Sequence, residues 1–276
     1  MSEGKTIRTG RNLPVALAVG AALGGVTLLT LFTLKVTFLG VVAIAVGVAL
    51  RELSRAFGTR EIAMPVIPIA AGGGAMLGLA YWSGEQAALA AFVGTVIVLL
   101  GWRLPGGTAG YVRDVTAGVF ALAYLLLLAM FVPLMLARPD GSRRTLIFVA
   151  MAVCSDVGGY FAGILLGKHP MAPGISPKKT WEGLAGSVLA GVTGGAILLV
   201  TLLHGHVWQG IILGAAAVAA ATLGDLAVSM IKRDLDIKDM GSVLPGHGGV
   251  LDRIDSLLVA APVVWLLLTV FVPHSR

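Results

Sequence analysis

The sequence predicts an all-α polytopic membrane protein with about nine transmembrane helices. Hydrophobic residues make up 57% of the 276 positions, charged residues only 12%, and the mean hydropathy is +0.92. These values are typical of an integral membrane protein and exclude an ordinary soluble domain. Apolar runs close to the length of about 20 residues that a bilayer requires follow one another along the chain. Polar clusters lie between the apolar runs of the C-terminal half, and they indicate where a functional site is located.

Nine apolar runs are candidate spans, and the second and fourth are short. They lie near residues 13–32, 35–50, 62–80, 86–102, 115–136, 145–167, 184–203, 207–230 and 250–272. Lys5, Arg8 and Arg11 precede the first run, as the basic residues of a signal peptide would. Because this run is longer than a typical signal core, we expect an uncleaved first span.

The lysines and arginines are distributed unevenly between alternate loops. With nine spans, fifteen of the 20 lie on the side of the N-terminus, and five lie on the other side. The positive-inside rule therefore places the N-terminus and the loops 168–183 and 232–249 in the cytoplasm, although three arginines in the 138–144 loop run against this assignment. The short loops favour a multi-pass protein of a prokaryotic inner (cytoplasmic) membrane. The net charge of +6 is then explained by basic residues at the cytoplasmic edge of the membrane. We therefore expect no nucleic-acid partner.

The acidic residues divide the chain lengthwise. Those of the first half lie at span ends or in loops, whereas Asp156 and Asp225 lie within apolar runs. Ionisable groups inside a membrane are costly and usually functional. We therefore expect residues 1–140 to form a transmembrane scaffold of about five spans and residues 141–276 to form a catalytic region of about four. The single cysteine, Cys154, excludes an intrachain disulfide.

The most polar segment of the chain joins the last two apolar runs. Asp225 and Ser229 share one helical face with the basic pair Lys232–Arg233, so an acid, a hydroxyl and a cation lie together. This face predicts an active site for a metal ion and an anion at the cytoplasmic membrane edge. The alternative is that Asp225 only neutralises Lys232 inside the membrane.

The ninth run opens with two acidic residues at helical spacing. Asp252 and Asp255 project from one face of the first turn, and with Asp225 they form a candidate Mg²⁺ site that leaves positions for phosphate oxygens and water. The alternative is charge that complements the helix dipole, worth only about 0.3–1 kcal/mol. Just before them, Gly248 and Gly249 allow a tight turn whose N–H groups are free for an anion.

A second polar cluster follows the sixth run, in the loop 168–183. It contains cations and hydroxyls suited to phosphate groups, namely Ser176, Lys178, Lys179 and Thr180. The alternative is an ordinary cytoplasmic loop that follows the positive-inside rule. His247, in the loop before the ninth run, either donates to a phosphate or lies at the level of the lipid headgroups.

These segments resemble the signature of the phosphatidate cytidylyltransferases, also called CDP-diacylglycerol synthases. The run from Ser229 to Asp255 carries the pattern S-x-x-K-R-x4-K-D-x-G-x3-P-G-H-G-G-x-x-D-R-x-D, and the upstream segments SDVGGYFAG and ISPKKTWEG are similar to the family as well. The N-terminal half resembles it only in its hydrophobic spans. Val228 stands where the family commonly has Glu, a departure that weakens the expected site without removing its central residues.

The resemblance implies transfer of a cytidylyl group from CTP to phosphatidic acid, which gives CDP-diacylglycerol and pyrophosphate in phospholipid biosynthesis. The catalytic residues that it implies are Asp225, Lys232, Arg233, Lys238, Asp239, His247, Asp252, Arg253 and Asp255. The substrate-binding residues are Asp156, Ser176, Lys178, Lys179, Thr180, Ser229, Gly248 and Gly249. Mg²⁺ is expected on Asp225, Asp252 and Asp255, and the presence of a second cation stays open. The resemblance also favours a homodimer in the lipid bilayer.

Two other functions stay open at the level of the sequence. A CTP-dependent lipid kinase would direct attack at the γ-phosphorus and release CDP. A secondary transporter would use the intramembrane residues Asp156 and Asp225 for coupling ions. Transporters often contain paired repeats, and the two halves of this chain show no convincing repeat, so the transporter is the weaker alternative.

Overall fold

Helices dominate the computed structural model, which describes residues 13–243 and 248–273. Within these residues the α-helices are α1 (Leu13–Phe32), α2 (Lys35–Gly58), α3 (Val66–Trp82), α4 (Glu85–Trp102), α5 (Tyr111–Ala121), α6 (Phe131–Leu136), α7 (Gly141–Leu166), α8 (Trp181–Leu203), α9 (Val207–Asp234) and α10 (Leu251–Phe271). The other elements are a 3₁₀ turn (Leu104–Gly106), a π-helical segment (Leu122–Leu127) and a hairpin of β1 (Pro170–Ala172) and β2 (Ser176–Thr180).

The prediction of an all-α polytopic membrane protein is confirmed. Among the described residues, seven helical segments are long and apolar enough to cross a membrane, and α3 is a shorter apolar helix. Each predicted run coincides with one helix or, for the fifth run, with the continuous segment Tyr111–Leu136. The observed ends differ in places, since α2 continues to Gly58 where the sequence predicted an end at residue 50. The count of nine membrane crossings stays a prediction.

Two clusters of buried apolar side chains form the interior. One extends from α2 through α6 and includes Val228 of α9 and Leu258 of α10. The other joins the ends of α1 and α2 to α6, α7, α8, α9 and α10. Both clusters contain residues from each side of residue 140, so the N-terminal helices pack directly against the helices that carry the polar clusters.

Glycines allow the C-terminal helices to pack with their backbones in contact. A Cβ on Gly158 of α7 would lie 2.6 Å from the carbonyl oxygen of Gly186 in α8, and a Cβ on Gly224 of α9 would lie 2.4 Å from the carbonyl oxygen of Asp255 in α10. No larger side chain fits at such distances. Small residues are the usual means of close helix packing in lipid, where apolar burial between helices contributes little. A Cβ on Gly214 of α9 would lie 2.3 Å from the carbonyl oxygen of Gly191 in α8, so close contacts of this kind join α7, α8, α9 and α10 in sequence.

A buried arginine fixes the C-terminal end of α10. Arg144 of α7 is only 1% exposed, and its guanidinium donates to the carbonyl oxygens of Leu268 at 2.8 Å and Val272 at 2.6 Å. A cation at this position complements the negative end of the helix dipole and pairs carbonyls that have no partner within the helix. One of the three arginines that ran against the predicted topology therefore serves as a helix cap.

The hairpin lies at the junction of α7 and α8. Its strands pair antiparallel, and Thr180 at its end caps α8 by accepting a hydrogen bond from the N–H of Gly183 at 3.1 Å. The carboxylate of Glu182 accepts from the N–H groups of Lys168 and His169, both at 3.2 Å. The polar loop is thus an ordered element, which the all-helical prediction did not include.

Candidate active site

A cavity of about 680 Å³ lies where the C-terminal ends of α7 and α9 meet the hairpin and the N-terminal ends of α8 and α10. The acidic, basic, serine and threonine residues of its lining are Ser155, Asp156, Lys178, Lys179, Thr180, Ser187, Thr222, Asp225, Lys232, Asp252, Arg253, Asp255 and Ser256. Four are aspartates and four are lysines or arginines, so their formal charges balance. Such a cavity can bind phosphate groups through its cations and a metal ion through its carboxylates.

The structure brings the two polar clusters of the sequence into one site. Nine residues predicted for substrate binding, catalysis or metal binding line the cavity: Asp156, Lys178, Lys179, Thr180, Asp225, Lys232, Asp252, Arg253 and Asp255. They come from α7, the hairpin, α9 and α10. The chemical role of each residue stays a prediction.

Asp225 joins α9 to the hairpin. Its carboxylate forms an ion pair with Lys179 of the hairpin and accepts a hydrogen bond from the hydroxyl of Ser229 at 3.3 Å. The sequence had left open a pairing between Asp225 and Lys232. The lysine that pairs with Asp225 comes instead from the other polar cluster, which leaves Lys232 for a different carboxylate.

Asp252, in the first turn of α10, accepts three hydrogen bonds. Lys232 donates to its Oδ1 at 2.7 Å, while the N–H groups of Met240 and Gly249 donate to its Oδ2 at 2.9 and 3.2 Å. This carboxylate therefore ties together α9, the loop that follows α9, and α10. Asp252 therefore has contacts beyond the dipole of its own helix, and its chemical role stays a prediction.

Asp255 and Asp156 complete the set of four carboxylates. Asp255 is only 6% exposed, and it lines the cavity together with Asp225, Lys232 and Asp252. Asp156 lines the same cavity from the α7 side. The close approach of α9 to α10 brings carboxylates of neighbouring helices toward the same part of the cavity.

Ser229 of α9, which contacts Asp225, is absent from the described cavity lining, and two further predicted residues lie beside the cavity. Arg233 donates from its Nε to the carbonyl oxygen of Ile175 at 3.2 Å, so it joins α9 to the hairpin. Ser176 is the first residue of β2, directly after that carbonyl. Both residues therefore lie where α9 holds the hairpin, and their contact with a substrate stays a prediction.

The loop between α9 and α10 contains the remaining predicted residues. Lys238 and Asp239 are exposed, and Gly248 has a φ of +82°, a conformation that favours glycine. A Cβ on Gly248 would lie 3.5 Å from a carboxylate oxygen of both Asp239 and Asp252. The backbone of this turn thus passes between two acidic side chains. His247 lies outside the described residues.

The carboxylates present can serve Mg²⁺, although they do not form a complete protein cage. Within residues 13–243 and 248–273, no three His, Cys, Asp or Glu side chains lie close enough together to hold a metal ion by themselves. Mg²⁺ is commonly held by one or two carboxylates together with substrate phosphates and water. Asp225 of α9 and Asp252 and Asp255 of α10 all line the cavity, so their chemistry is compatible with such a site, and Mg²⁺ binding stays a prediction.

Sequence reasoning missed Glu52, an acidic residue of the N-terminal half that contacts the start of α10. Glu52 of α2 is 2% exposed, and its two carboxylate oxygens accept hydrogen bonds from the N–H groups of Val250 and Leu251. Because the second run is predicted to end near residue 50, the sequence places Glu52 just beyond the end of a span. A signal was present, since Glu52 lies three residues after Ala49 and four before Ala56, on the apolar face of α2.

The family departure at Val228 lies away from the cavity. The Val228 side chain is fully buried in the apolar cluster that includes the N-terminal helices, and it is absent from the described cavity lining. A glutamate at this position would place a carboxylate among apolar side chains, which is costly without a partner. Valine is therefore compatible with this interior.

Comparison with known proteins agrees with the geometry. A model of the cytidylyltransferase family matches residues 15–271. A phosphatidate cytidylyltransferase of Mycobacterium leprae is 41% identical over 285 aligned positions, which cover 97% of this chain and 91% of that protein. The Mycobacterium bovis protein of the same name is 40% identical over 278 positions, with 96% and 91% covered. A Brucella melitensis protein of that name is 38% identical over 134 positions, about half of each chain. The resemblance read from the motifs is confirmed, and the chain belongs to the cytidylyltransferase family.

Proposed function

We propose that this chain is a phosphatidate cytidylyltransferase, which converts CTP and phosphatidic acid to CDP-diacylglycerol and pyrophosphate. The main support is the cavity, which combines four aspartates with four lysines or arginines at the ends of apolar helices. The relatives that bear this name match nearly the whole chain at about 40% identity. A polar cavity at helix ends suits a reaction between a water-soluble nucleotide and a membrane lipid.

One wall of the cavity provides an approach for the lipid. Val157, Tyr160 and Phe161 of α7 line the cavity and are 48%, 63% and 59% exposed. Their helix is one of the segments long and apolar enough to cross a membrane. The phosphate of phosphatidic acid can therefore enter the cavity beside α7 while its acyl chains stay in the bilayer.

The reaction requires positioning and charge neutralisation more than proton transfer. A phosphate oxygen of phosphatidic acid attacks the α-phosphorus of CTP, a new P–O bond forms, and the bond to the bridging oxygen of the β-phosphate breaks. Pyrophosphate leaves with that electron pair, and no general base is required because the lipid phosphate is ionised at neutral pH. Lys232 and Arg253 face the cavity to neutralise phosphates, and Lys178 and Lys179 engage the nucleotide or the lipid headgroup.

Asp225, Asp252 and Asp255 are the proposed residues for Mg²⁺. When bound, the ion neutralises charge on the nucleotide phosphates and on the leaving pyrophosphate. Lys179 and Lys232 pair with two of these carboxylates, and they hold the side chains toward the cavity. The balanced charge of the lining supports a cation requirement, because two anionic substrates must enter a cavity whose own formal charge is zero.

The proposed function is tested by following labelled CTP with detergent-purified protein, phosphatidic acid and Mg²⁺. With the label on the α-phosphate we expect lipid-soluble product, one pyrophosphate for each lipid labelled, and loss of both when EDTA is added. With the label on the γ-phosphate we expect none of it in the lipid. A lipid labelled from the γ-position, with release of CDP, would establish the lipid kinase instead. Intact CTP under all conditions would contradict both enzymes and leave the transporter.

We also propose an inner-membrane location, with the N-terminus and the loops 168–183 and 232–249 in the cytoplasm, and a homodimeric assembly. The bacterial relatives and the distribution of lysines and arginines support the location. The dimer rests on the family resemblance and is measured by native mass spectrometry of the protein released from detergent. A mass of one chain at all protein concentrations would contradict it.

A further inference from the structure

A carboxylate of the predicted scaffold holds the first turn of the helix that carries the aspartates. Glu52 of α2 accepts from the N–H of Val250 at 3.0 Å and from the N–H of Leu251 at 2.8 Å. These N–H groups stand at the start of α10, where no partner exists within the helix. An acceptor carboxylate at this end also complements the positive end of the helix dipole. Glu52 therefore caps α10 from a helix almost 200 positions earlier in the chain.

The loop between α9 and α10 wraps closely around the same carboxylate. A Cβ on Gly241 would lie 2.3 Å from Oε1 of Glu52, and a Cβ on Gly249 would lie 2.7 Å from Oε2. Any side chain at these positions would displace the carboxylate. The two glycines thus allow two separate parts of the loop to contact one buried acid.

The contacts of Glu52 lead directly to Asp252. Asp252 accepts hydrogen bonds from the N–H groups of Met240 and Gly249. Met240 precedes Gly241 in the chain, and Gly241 and Gly249 are the two glycines that pack against Glu52. Asp252 also follows Leu251, whose N–H Glu52 accepts. Glu52 therefore supports the ion pair between Asp252 and Lys232 through these shared contacts. Glu52 itself is absent from the described cavity lining.

We propose that Glu52 is a positioning residue for the cytidylyl transfer, and this inference rests on the proposed function. Glu52 fixes the start of α10 and the adjoining loop so that Asp252 and Lys232 face the substrates in a productive arrangement. Glu52 does not contact the substrates. Loss of the Glu52 carboxylate therefore lowers kcat more than it raises KM. The groups that bind the substrates are still present in the cavity, but they are less well placed for the reaction.

The test compares Glu52→Gln with wild type in kcat and in KM for each substrate. Glutamine keeps the size of the side chain but directs an NH₂ group toward an N–H donor. We expect kcat to fall about tenfold or more while both KM values stay within about threefold. Amide hydrogen exchange should become faster in the peptide that contains residues 248–252, whether or not the assay detects activity. This second measurement separates failure of the inference from failure of the proposed function.

Matched variants separate positioning from general loss of packing. Val46→Ala removes a buried side chain of the same helix, and Glu85→Gln makes the same chemical change at an exposed position of α4. We expect both to keep the kcat of wild type, even where Val46→Ala lowers thermal stability. Should Glu52→Gln not fold, Gly241→Ala perturbs the same contact from the loop and should lower kcat in the same way. Wild-type kcat and exchange in Glu52→Gln, or an equal loss of kcat in Val46→Ala, would overturn the inference.

Discussion

Asp225 and Asp252 each pair with a lysine, and the two lysines come from different polar clusters of the sequence. Lys179 belongs to the hairpin and Lys232 to α9, so each pair crosses between elements. The pair of Lys232 with Asp252 is the more buried of the two, with side chains 16% and 7% exposed against 24% and 40% for Lys179 and Asp225. Removal of one partner of such a pair leaves the other charge without compensation. The two pairs also give distinguishable predictions, since only Asp252 is bound by backbone N–H groups of the adjoining loop.

Asp252→Asn should lower kcat by about 100-fold, comparable to loss of one preorganised electrostatic group in other enzymes. Asparagine keeps the shape of the side chain but removes the charge that Lys232 pairs with, and it presents an NH₂ group to the two N–H donors. The measurement is the initial rate of lipid labelling from α-labelled CTP. Asp236→Asn is the control, because Asp236 is 84% exposed and pairs with Arg60 on the surface. Full activity of Asp252→Asn would refute its place in the site.

Lys179→Gln should raise the KM for CTP or for phosphatidic acid by about tenfold, the effect of losing about 1.4 kcal/mol of binding. The side chain lines the cavity and carries one of its four positive charges, so its removal weakens the attraction for an anionic substrate. Separate titrations of the two substrates show which one Lys179 contacts. Lys168→Gln is matched in chemistry but lies outside the described lining, and unchanged KM values are expected for it. Equal effects of the two changes would point to general surface charge instead.

The residues of the site were easier to predict than their partners. Helical spacing placed Asp225, Ser229 and Lys232 on one face, and the contact between Asp225 and Ser229 agrees with it. The pairing of Asp225 with Lys179 depends on how the hairpin folds over α9, and spacing along one helix carries no information about that. The partners of Glu52 could not be predicted for the same reason, since they lie near residue 250.

At the scale of elements, the contact between α7 and α8 depends on the absence of side chains. A Cβ on Gly158 would lie 2.5 Å from the Cβ of Ala190 and 2.6 Å from a backbone oxygen of Gly186. Backbone atoms cannot rotate away as a long side chain can. The two helices must separate to admit even one methyl group, and Asp156, two residues before Gly158, would move with α7.

Gly158→Ala should therefore destabilise the protein by about 1–3 kcal/mol, the usual cost of overpacking. The measurement is thermal unfolding in detergent, monitored by circular dichroism, and we expect a lower unfolding midpoint (Tm). Gly94→Ala in α4 is the control, because a Cβ there meets nothing within 4 Å. Alanine favours a helix over glycine, so Gly94→Ala should leave the midpoint unchanged or raise it. A drop of similar size in both variants would contradict the packing explanation.

The helices themselves were predictable, whereas two local elements were not. Apolar length identifies a span because the bilayer sets that length, whatever the neighbours are. The π-helical segment Leu122–Leu127 has the same apolar composition as the α-helices around it, so hydropathy cannot reveal it. The hairpin is held by Glu182 and by Arg233, whose contacts lie outside the strands, and the charges of the loop gave no strand signal.

At the scale of the whole molecule, the proposed orientation places Lys238 in the cytoplasm and Arg143 on the opposite side. Both side chains are exposed, so a cysteine at either position is open to a reagent in water. In a Cys154→Ala background, which lacks the single native cysteine, Arg143→Cys should react with a membrane-impermeant maleimide in intact spheroplasts. Lys238→Cys should react only after the membrane is opened. Reaction in the reverse order would overturn the orientation, and reaction of both in intact cells would contradict the span count.

Two charged side chains of opposite sign, Glu52 of α2 and Arg144 of α7, bind the two ends of α10. The carboxylate of Glu52 holds its first N–H groups, and the guanidinium of Arg144 holds its last carbonyls. To slide along its axis by one turn, α10 would have to break both sets of bonds and expose two buried charged side chains. The helix that carries Asp252 and Asp255 is therefore a fixed reference in the molecule. We expect any adjustment to the arrival of substrates on the hairpin side of the cavity, because the hairpin is joined to α9 through side chains that face the substrates or their surroundings: Arg233 donates to the carbonyl of Ile175, and Lys179 pairs with Asp225.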